Sequence, residues 1–415
     1  MTRRVVLVSL EFLRPGDART SLGIASIAAA LHADGLEVET LTEAVNAPDF
    51  DEDALAEIIH RALKRAGDDA LLGIGAYVWN ERVLVRLLPR IRARFDGPIV
   101  LGGPQISYAE PGTLEASYPG VTWFVRGNGE RAMVALARGD APDAAGVHVA
   151  GCMDRGAQAP FDLAQLPSPY LDKTLPIGTH VRWETQRGCP FSCTFCQFRD
   201  AAGRRAEIGE ARVLDELRAF AEADVERISV LDPIFNANRA RAVTLLREAR
   251  DLGLRARLSL QCRFEYVNDA FLDALGGLDV ELEFGLQTIH EVEGKAVQRP
   301  NNMRKVEEVV HQLRARGIYF EVSLIYGLPH QTLASFEESV AWCVEREVPR
   351  VRAWPLMLLR GTELHRQRTQ LELVESTDRD IPVVIATPSF STADHVSMEA
   401  RAAWLPDNYN RRQSK

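Results

Sequence analysis

The stretch RGCPFSCTFCQF, residues 187–198, holds three of the chain's six cysteines: Cys189, Cys193 and Cys196, spaced C-x3-C-x2-C. Three thiols cannot all pair with one another, and they are one ligand short of a closed tetrahedral zinc site. Thiolates at this spacing on one loop can bind three irons of a cubane iron–sulfur cluster, because cysteine thiolates are the usual ligands of such clusters. The fourth iron of a cubane would then lack a protein ligand and stand open to chelation by a small molecule. A zinc site would need a further ligand from a distance, such as His180. A purely packing role is the weakest reading, since free cysteines gain little from clustering. The other three cysteines, Cys152, Cys262 and Cys343, are scattered and suggest no disulfide framework. Cys262 ends an expected strand and reads as a small core residue that could also face an active site, and Cys343 reads as a helix core position.

The elements that must position this loop fall into two series. Residues 1–150 alternate strands (4–10, 36–41, 70–78, 98–103, 122–127) with helices (21–35, 51–67, 80–95), which implies an α/β fold with a doubly wound, Rossmann-like parallel sheet. Ligands of such sheets sit at the carboxyl ends of the strands. Gly73, Gly75, Gly102, Gly103, Gly127 and Gly129 fall there, although tight turns need glycine in any case. Residues 151–180, with Pro160, Pro167, Pro169 and Pro176, read as a linker. Residues 181–357 alternate again, with strands at 181–186, 225–231, 257–262, 279–286, 318–326 and 350–357. Helices are expected between them at 207–223, 238–252, 268–276, 302–316 and 333–347. This is the pattern of a partial (β/α)6 barrel, whose chemistry belongs in the loops after the strands. The cysteine loop directly follows the first of them. Residues 358–415 form a C-terminal extension, with one more strand at 380–388 and a frayed end from residue 405.

The chain has 415 residues, 46% hydrophobic and 26% charged, which suits a soluble protein of two or three cores. A formal net charge of −9 without any Lys/Arg block argues against a nucleic-acid partner. The opening MTRRVVLVSLEFLRPGD is interrupted by Glu11, Arg14 and Asp17 and reads as a buried strand, not a signal peptide. No run approaches the ~18 apolar residues of a membrane span. A cytoplasmic protein with no membrane partner is therefore expected.

CPFSCTFC after a barrel strand resembles the radical S-adenosylmethionine superfamily. The resemblance implies a 4Fe-4S cluster on Cys189, Cys193 and Cys196, whose open iron binds the amino and carboxylate groups of S-adenosylmethionine. Electron transfer then cleaves a carbon–sulfur bond, usually giving a 5′-deoxyadenosyl radical. Phe195 matches the aromatic that packs near the adenine. FGLQT (284–288) is similar to a strand end that offers Gln287 to the ribose. QRP (298–300) puts Arg299 where a carboxylate-binding arginine stands, and RFEYV (263–267) puts Glu265 where a carboxylate receives the amino group. SLIYGLP (323–329) matches the fifth-strand signature but has Ser323 where an aspartate is frequent, which weakens the ribose contact expected there. His290, in QTIHEV, is a candidate for acid–base work or a solvated loop histidine.

The first domain is similar to the cobalamin-binding type that precedes many such barrels. TSLGIASIAAALHADG, GAYVWN, VLGGPQIS, VRGNGE and the linker segment DLAQLPSPYL carry the likeness, which spans roughly residues 4–390. Small residues at Ser21, Gly23, Gly102 and Gly103 would let backbone approach a flat macrocycle. The D-x-H-x-x-G motif that supplies a histidine to cobalt is absent, and His32 reads as a plain helix residue. Cobalamin, if held, would have no protein histidine below it. Otherwise the site is a relic filled by Trp79 and Tyr108. The resemblance implies methylation of an unactivated carbon of a small-molecule substrate, with flavodoxin or ferredoxin as external electron donor. A cobalamin-independent radical rearrangement, dehydration or transfer of another S-adenosylmethionine fragment is the first rival. A non-catalytic electron carrier or sensor is the second, against which Gln287 and Arg299 speak. The substrate is not legible.

Overall fold

The computed structural model describes residues 3–14, 21–140, 144–160, 163–198, 205–379 and 381–411. They divide into two compact units, Met1–Ile177 and Gly178–Lys415.

In the first unit, strand β1 (Arg4–Glu11) is buried at every position after Arg4. That is the mark of a central parallel strand covered on both faces. Around it stand α1 (Leu22–Ala33), β2 (Val38–Ala44), α2 (Glu52–Ala66), β3 (Ala70–Gly75), α3 (Glu81–Arg92), β4 (Ile99–Gly102), β5 (Trp123–Val125), α4 (Gly129–Arg138) and β6 (Val147–Val149). The sheet order is β2-β1-β3-β4-β5-β6. Helices α2 and α3 set Leu55, Ile59, Leu84 and Leu87 against Val6, Val8, Leu72 and Ile74 on one face. Helices α1 and α4 set Ile24, Ala28, Leu31 and Met133 against Val5, Leu7, Leu71 and Val100 on the other. The expected alternation holds, with two elements that were not expected: helix α4, and strand β6, which lies antiparallel to β5. A three-residue edge strand needs no crossover helix, so it left no periodic signal. The order reverses between β1 and β3, which opens a crevice at their carboxyl ends.

The expected linker is no loose spacer. Leu163, Tyr170 and Leu175 are buried, and Asp154 pairs with the buried Arg126 at 2.5 Å. Arg126 also donates to the carbonyls of Ile106 (2.9 Å) and Ala109 (2.8 Å). Burial alone would raise the Asp154 carboxyl. The Arg126 hydrogen bond and the N–H groups of Gly156 and Gly112 outweigh it and hold the carboxyl below its ordinary value. Arg126→Ala would leave that carboxylate buried and unpaired, and should cost about 3–5 kcal/mol in denaturant unfolding of the first unit. Because the Asp154 value is depressed, its contribution is complete above the unfolded carboxylate range and is lost as pH falls through the folded value. The variant's deficit should therefore shrink in acid.

In the second unit β7 (His180–Trp183), α5 (Glu210–Glu222), β8 (Arg227–Val230), α6 (Arg239–Asp251), β9 (Arg257–Cys262) and α7 (Asp269–Ala274) come first. They are followed by β10 (Val280–Gln287), α8 (Glu291–Ala296), α9 (Met303–Ala315), β11 (Phe320–Tyr326), α10 (Leu333–Glu345) and β12 (Arg350–Pro355). The six strands run in the order β12-β11-β10-β9-β8-β7, each pairing parallel with the next. Alternation along β10 puts Leu282, Phe284 and Leu286 in the helix layer, fully buried. Glu281, Glu283, Gly285 and Gln287 take the other face. That concave face is charged where a closed barrel would be aliphatic. Glu281 accepts from Arg227 and Arg350, each at 2.9 Å, and Glu321 accepts from Arg352 at 2.7 Å.

The C-terminal extension is more ordered than its sequence suggested. The expected strand shrinks to Val384–Ala386, paired antiparallel with Val374–Glu375, and Asp380, where it was expected to begin, lies outside the described residues. Helix α11 (Thr392–Trp404) opens with a capping box of Ser391 and Asp394. Of the end expected to fray, residues 405–411 are docked, and 412–415 lie outside the described residues. Tyr409 donates its hydroxyl to Val348 O at 2.9 Å, and the Asn410 side chain pairs with both backbone groups of Val351 at 2.9 Å. These bonds extend β12 sideways, an anchoring that composition alone does not betray.

Candidate active site

The cysteine loop is fixed by its backbone. Thr194 N–H donates to Val297 O at 3.0 Å, Leu364 N–H donates to Thr194 O at 2.9 Å, and Cys196 N–H turns back to Cys193 O at 3.1 Å. Before the loop, the carboxylate of Asp232 accepts from Thr185 N–H (2.7 Å), Gln186 N–H (3.1 Å) and the Thr185 hydroxyl (2.5 Å). Asp232 is fully buried, and burial pushes its carboxyl up to about 7 against the pull of those donors. It closes the end of β8 onto the end of β7, just where the loop departs.

The three thiols are electrostatic neighbours. Burial first, and then the charges of Cys193 and Cys189, push Cys196 up to about 11. Burial also raises Cys189, while Arg263 and Arg299 draw it down. Three thiolates this close are stable only beside compensating positive charge, which iron supplies. Among the described residues no three His, Cys, Asp or Glu converge on a single ion position. The suggested distant zinc ligand, His180, opens β7 at the end opposite the loop, and its Nε2 lies 2.9 Å from Ser229 Oγ. The donor set therefore fits a cluster whose irons are shared out among the cysteines.

Two buried arginines flank the loop. Arg299 is 8% exposed and donates through Nη2 to Gly285 O. Burial and then Arg263 lower its affinity for its proton, and Cys193, Glu265 and Cys189 oppose that. Arg263, which the motif reading passed over, lies with its guanidinium 3.7 Å from the centre of the Phe191 ring. Its Nε and Nη2 donate to the two oxygens of Glu265 at 3.1 and 3.3 Å. Burial would raise Glu265, but that pairing holds it below its ordinary value.

Gln287 ends β10 with φ 69°, past a register shift between Gly285 and Gln287. A left-handed non-glycine backbone persists only where its surroundings enforce it, and such strain gathers at functional sites. The surroundings are visible: Asn301 Nδ2 donates to Leu286 O at 2.7 Å and Thr288 O at 2.9 Å. The Thr288 hydroxyl donates to the buried Glu293 at 2.5 Å. Gln331, also fully buried, donates to Glu293 at 3.3 Å and accepts from Gly327 N–H at 2.7 Å. This network ties the end of β10 to the YGLP turn after β11. Ser323 stands opposite Gly285 in the register and donates to Glu321 at 3.3 Å. Phe195 is half-buried in the cysteine loop.

Cys262 takes its expected core role, whereas His290 is held by contacts instead of lying solvated in a loop. Cys262 alternates with Leu258 and Leu260 into the helix layer and is 4% exposed, so it faces away from the concave side. His290 Nε2 lies 3.0 Å from Ser335 O and 3.3 Å from Glu338 Oε2, which tethers it to the start of α10.

In the first unit Ser21 and Gly23 stand at the head of α1 and Gly102 at the end of β4, all at the carboxyl edge of the sheet, and Tyr77 and Trp79 form a stacked pair after β3. The two rings are 4.5 Å apart and 12° from parallel, and Trp79 Nε1 donates to Leu10 O at 3.0 Å. A Cβ on Gly23 would meet only Tyr77 Oη at 3.6 Å and Ser21 Oγ at 3.9 Å, and one on Gly102 only Val125 atoms at 3.7 Å and beyond. Neither glycine is demanded by the packing around it, and Gly23 stands beside the flat Tyr77–Trp79 stack, a surface suited to a macrocycle. Gly103 differs from expectation. Its φ is +93°, and a Cβ would strike Ala76 O at 2.7 Å, so the chain's own turn already demands glycine there. His32 lies at the far end of α1, with Nδ1 3.0 Å from Thr174 Oγ1. A crossover helix carries the chain away from the carboxyl edge, so eleven residues past Ser21 the histidine is roughly 16 Å along α1 from its head.

A family model described as the Radical SAM superfamily matches residues 183–343, and one described as the B12 binding domain matches residues 15–137. The chain carries a radical SAM domain. It carries a B12-binding-type domain ahead of the barrel, as the expected order of domains requires. Among curated relatives, the cobalamin-dependent radical SAM methyltransferase TokK of Streptomyces tokunonensis is 27% identical over 66% of this chain and 45% of its own length. The 2-(S-pantetheinyl)-carbapenam-3-carboxylate methyltransferase of Streptantibioticus cattleyicolor is 28% identical over 67% of this chain and 45% of its own length. The matched region thus spans under half of each of these two relatives. Among solved structures, TsrM of Kitasatospora setae, a radical S-adenosylmethionine methyltransferase with tryptophan substrate and aza-SAM bound, superposes with TM-score 0.73. It covers 91% of this chain and 79% of that one at 20% identity. The cobalamin-dependent S-adenosylmethionine radical enzyme OxsB superposes with TM-score 0.72 over 98% of this chain and 67% of that one, at 14% identity. At these identities the likeness establishes a shared fold. Among the described residues no helix is long and apolar enough to cross a membrane.

Proposed function

We propose that this protein is a cobalamin-dependent radical S-adenosylmethionine methyltransferase acting on an unactivated carbon of a small molecule. The observation that carries the reading is the gathering of Cys189, Cys193, Cys196, Arg263, Glu265 and Arg299 into one electrostatically coupled group at the barrel strand ends. A cofactor crevice in the same chain supports it. Cys189, Cys193 and Cys196 hold the 4Fe-4S cluster, and Ser21, Gly23 and Gly102 line the cobalamin site. Bound there, the cluster supplies the electron that cleaves S-adenosylmethionine, and cobalamin supplies the methyl carrier.

The chain's own residues bind and orient. Arg299 presents its fork to the S-adenosylmethionine carboxylate, since a planar guanidinium matches a carboxylate with two parallel hydrogen bonds. Glu265 keeps acceptor capacity for the amino group even while Arg263 holds it, because an ionised carboxylate has about four lone-pair sites. Gln287, held in place by the Asn301 and Glu293 contacts, serves the ribose, and Phe195 the adenine. Ser323 lacks a charge and sits deeper on the concave face, so it shapes the pocket more than it binds. A low-potential external donor such as flavodoxin or ferredoxin, and a cytoplasmic setting, complete the proposal.

The experiment is anaerobic reconstitution with iron, sulfide and hydroxocobalamin, followed by dithionite and S-adenosylmethionine. The expected result is 5′-deoxyadenosine that depends on both reductant and cluster. Arg299→Ala should weaken S-adenosylmethionine binding about 10- to 100-fold, the range for losing a charged hydrogen-bond partner, with the cluster absorbance intact. An unchanged affinity would remove Arg299 from the pocket. A wild type that never consumes S-adenosylmethionine under these conditions would favour the non-catalytic carrier.

A further inference from the structure

Arg263 follows the last residue of β9, and its main chain is locked. Its N–H donates to Asn236 Oδ1 at 3.0 Å, and its carbonyl accepts from Asn236 Nδ2 at 3.0 Å. Its side chain is 7% exposed. The guanidinium has Phe191 on one face at 3.7 Å and Glu265 along its edge at 3.1 and 3.3 Å. Phe191 lies between Cys189 and Cys193, so the cation is clamped onto the cysteine loop itself. A stacked, forked and backbone-locked arginine has almost no freedom left, and its charge stays in one place. Glu265 is equally held, on the side where it bears on Arg299.

We propose that Arg263 and Glu265 form a fixed charge pair that tunes the reduction potential of the cluster, Arg263 raising it and Glu265 lowering it. Reduction adds one electron to the cluster and nothing else, so a buried positive charge beside the loop favours it and a fixed negative charge nearby opposes it. Arg263 is buried and little screened, whereas Glu265, its side chain 29% exposed, acts through the fixed place that Arg263 gives it. Such nearby groups are among the means by which proteins spread cluster potentials. Arg263 is a positioning residue in this role, acting on the cluster through space and through the Phe191 contact. The inference rests on the reading that the three cysteines hold a 4Fe-4S cluster.

The test is the midpoint potential of the reconstituted full chain, measured without S-adenosylmethionine by mediated titration against dithionite. Arg263→Gln should disfavour reduction about tenfold, which for one electron is a shift of about 59 mV to lower potential. Glu265→Gln should shift the potential by a similar amount in the opposite direction. The double variant Arg263→Gln/Glu265→Gln should return towards the wild type. Shifts of the same sign in both single variants, or none in either with full iron content, would overturn the proposal. If Arg263→Gln does not retain iron, the upward shift in Glu265→Gln still decides. Should the wild type itself take up no cluster, the failure lies in the cluster reading and is visible as missing iron before any potential is measured.

Discussion

Replacing Cys189, Cys193 and Cys196 together by alanine should leave about zero cluster iron after anaerobic reconstitution, because thiolates are the only ligands the cluster reading supplies. Loss of iron by unfolding is a separate matter, and the loop geometry distinguishes the two. The segment is anchored through main-chain bonds of Thr194 to Val297 and Leu364, and Gln197 donates to Arg360 O at 2.8 Å. None of these bonds involves a thiol. The triple variant should therefore keep its circular dichroism and its apo melting temperature within a few degrees of the apo wild type, while iron and sulfide fall to background. Removing the thiols also relieves the burial and mutual repulsion that push Cys196 up to about 11. The apo variant can be slightly the more stable at alkaline pH, where wild-type thiolates would begin to form. A full complement of iron in the triple variant would sink the cluster assignment.

The barrel was legible because its strands are short apolar runs separated by amphipathic helices. Residues 257–262 were expected as a strand and form one with those limits, Arg257–Cys262. What stayed hidden are contacts that no periodicity encodes. Arg263 reads in sequence as one more charge after a strand, and only the fold lays it on Phe191. Asp232 and Asn236 sit in LDPIFN, a loop with no repeating pattern, yet they tie the ends of β7 and β9 to β8. A charged residue directly after an apolar strand of a barrel is the one signal that could have singled out Asp232 and Arg263. Glu293 and Gln331 are hidden for another reason. Glu293 lies on the short helix α8 and Gln331 in the loop before α10, both polar stretches by composition, whereas burial at 2% and 0% makes the two residues an internal strut. The docking of Tyr409 and Asn410 escaped because a polar terminus ordinarily has too little apolar surface to offset the entropy of ordering. Here a few hydrogen bonds to the edge of β12 and the burial of one tyrosine suffice.

Gly23→Phe should abolish cobalamin uptake without harming the fold, and the structure makes this the cleaner test of the crevice than any change at Gly103. At Gly103 a side chain collides with Ala76 before any ligand is considered, so loss of uptake there would report only a broken turn. Gly23 lies in the first turn of α1 on an exposed position, where a Cβ finds only ordinary contacts. Phenylalanine is a somewhat better helix residue than glycine, by about a few tenths of a kcal/mol, so Gly23→Phe should melt near the wild-type temperature. Its ring would fill the space between the head of α1 and Tyr77, against the wall a macrocycle would use. The wild type is expected to take up about one hydroxocobalamin per chain after desalting, as one crevice between β1 and β3 predicts, and Gly23→Phe none. Reduced cobalt in the wild type should show no nitrogen hyperfine coupling. The three histidines of the first unit are engaged elsewhere, His32 with Thr174, His60 with Ile91 O and His148 with Glu115. Equal uptake by Gly23→Phe would move the cofactor away from α1. A wild type that retains no cobalamin would make the domain a relic and leave the barrel to a cobalamin-independent radical reaction.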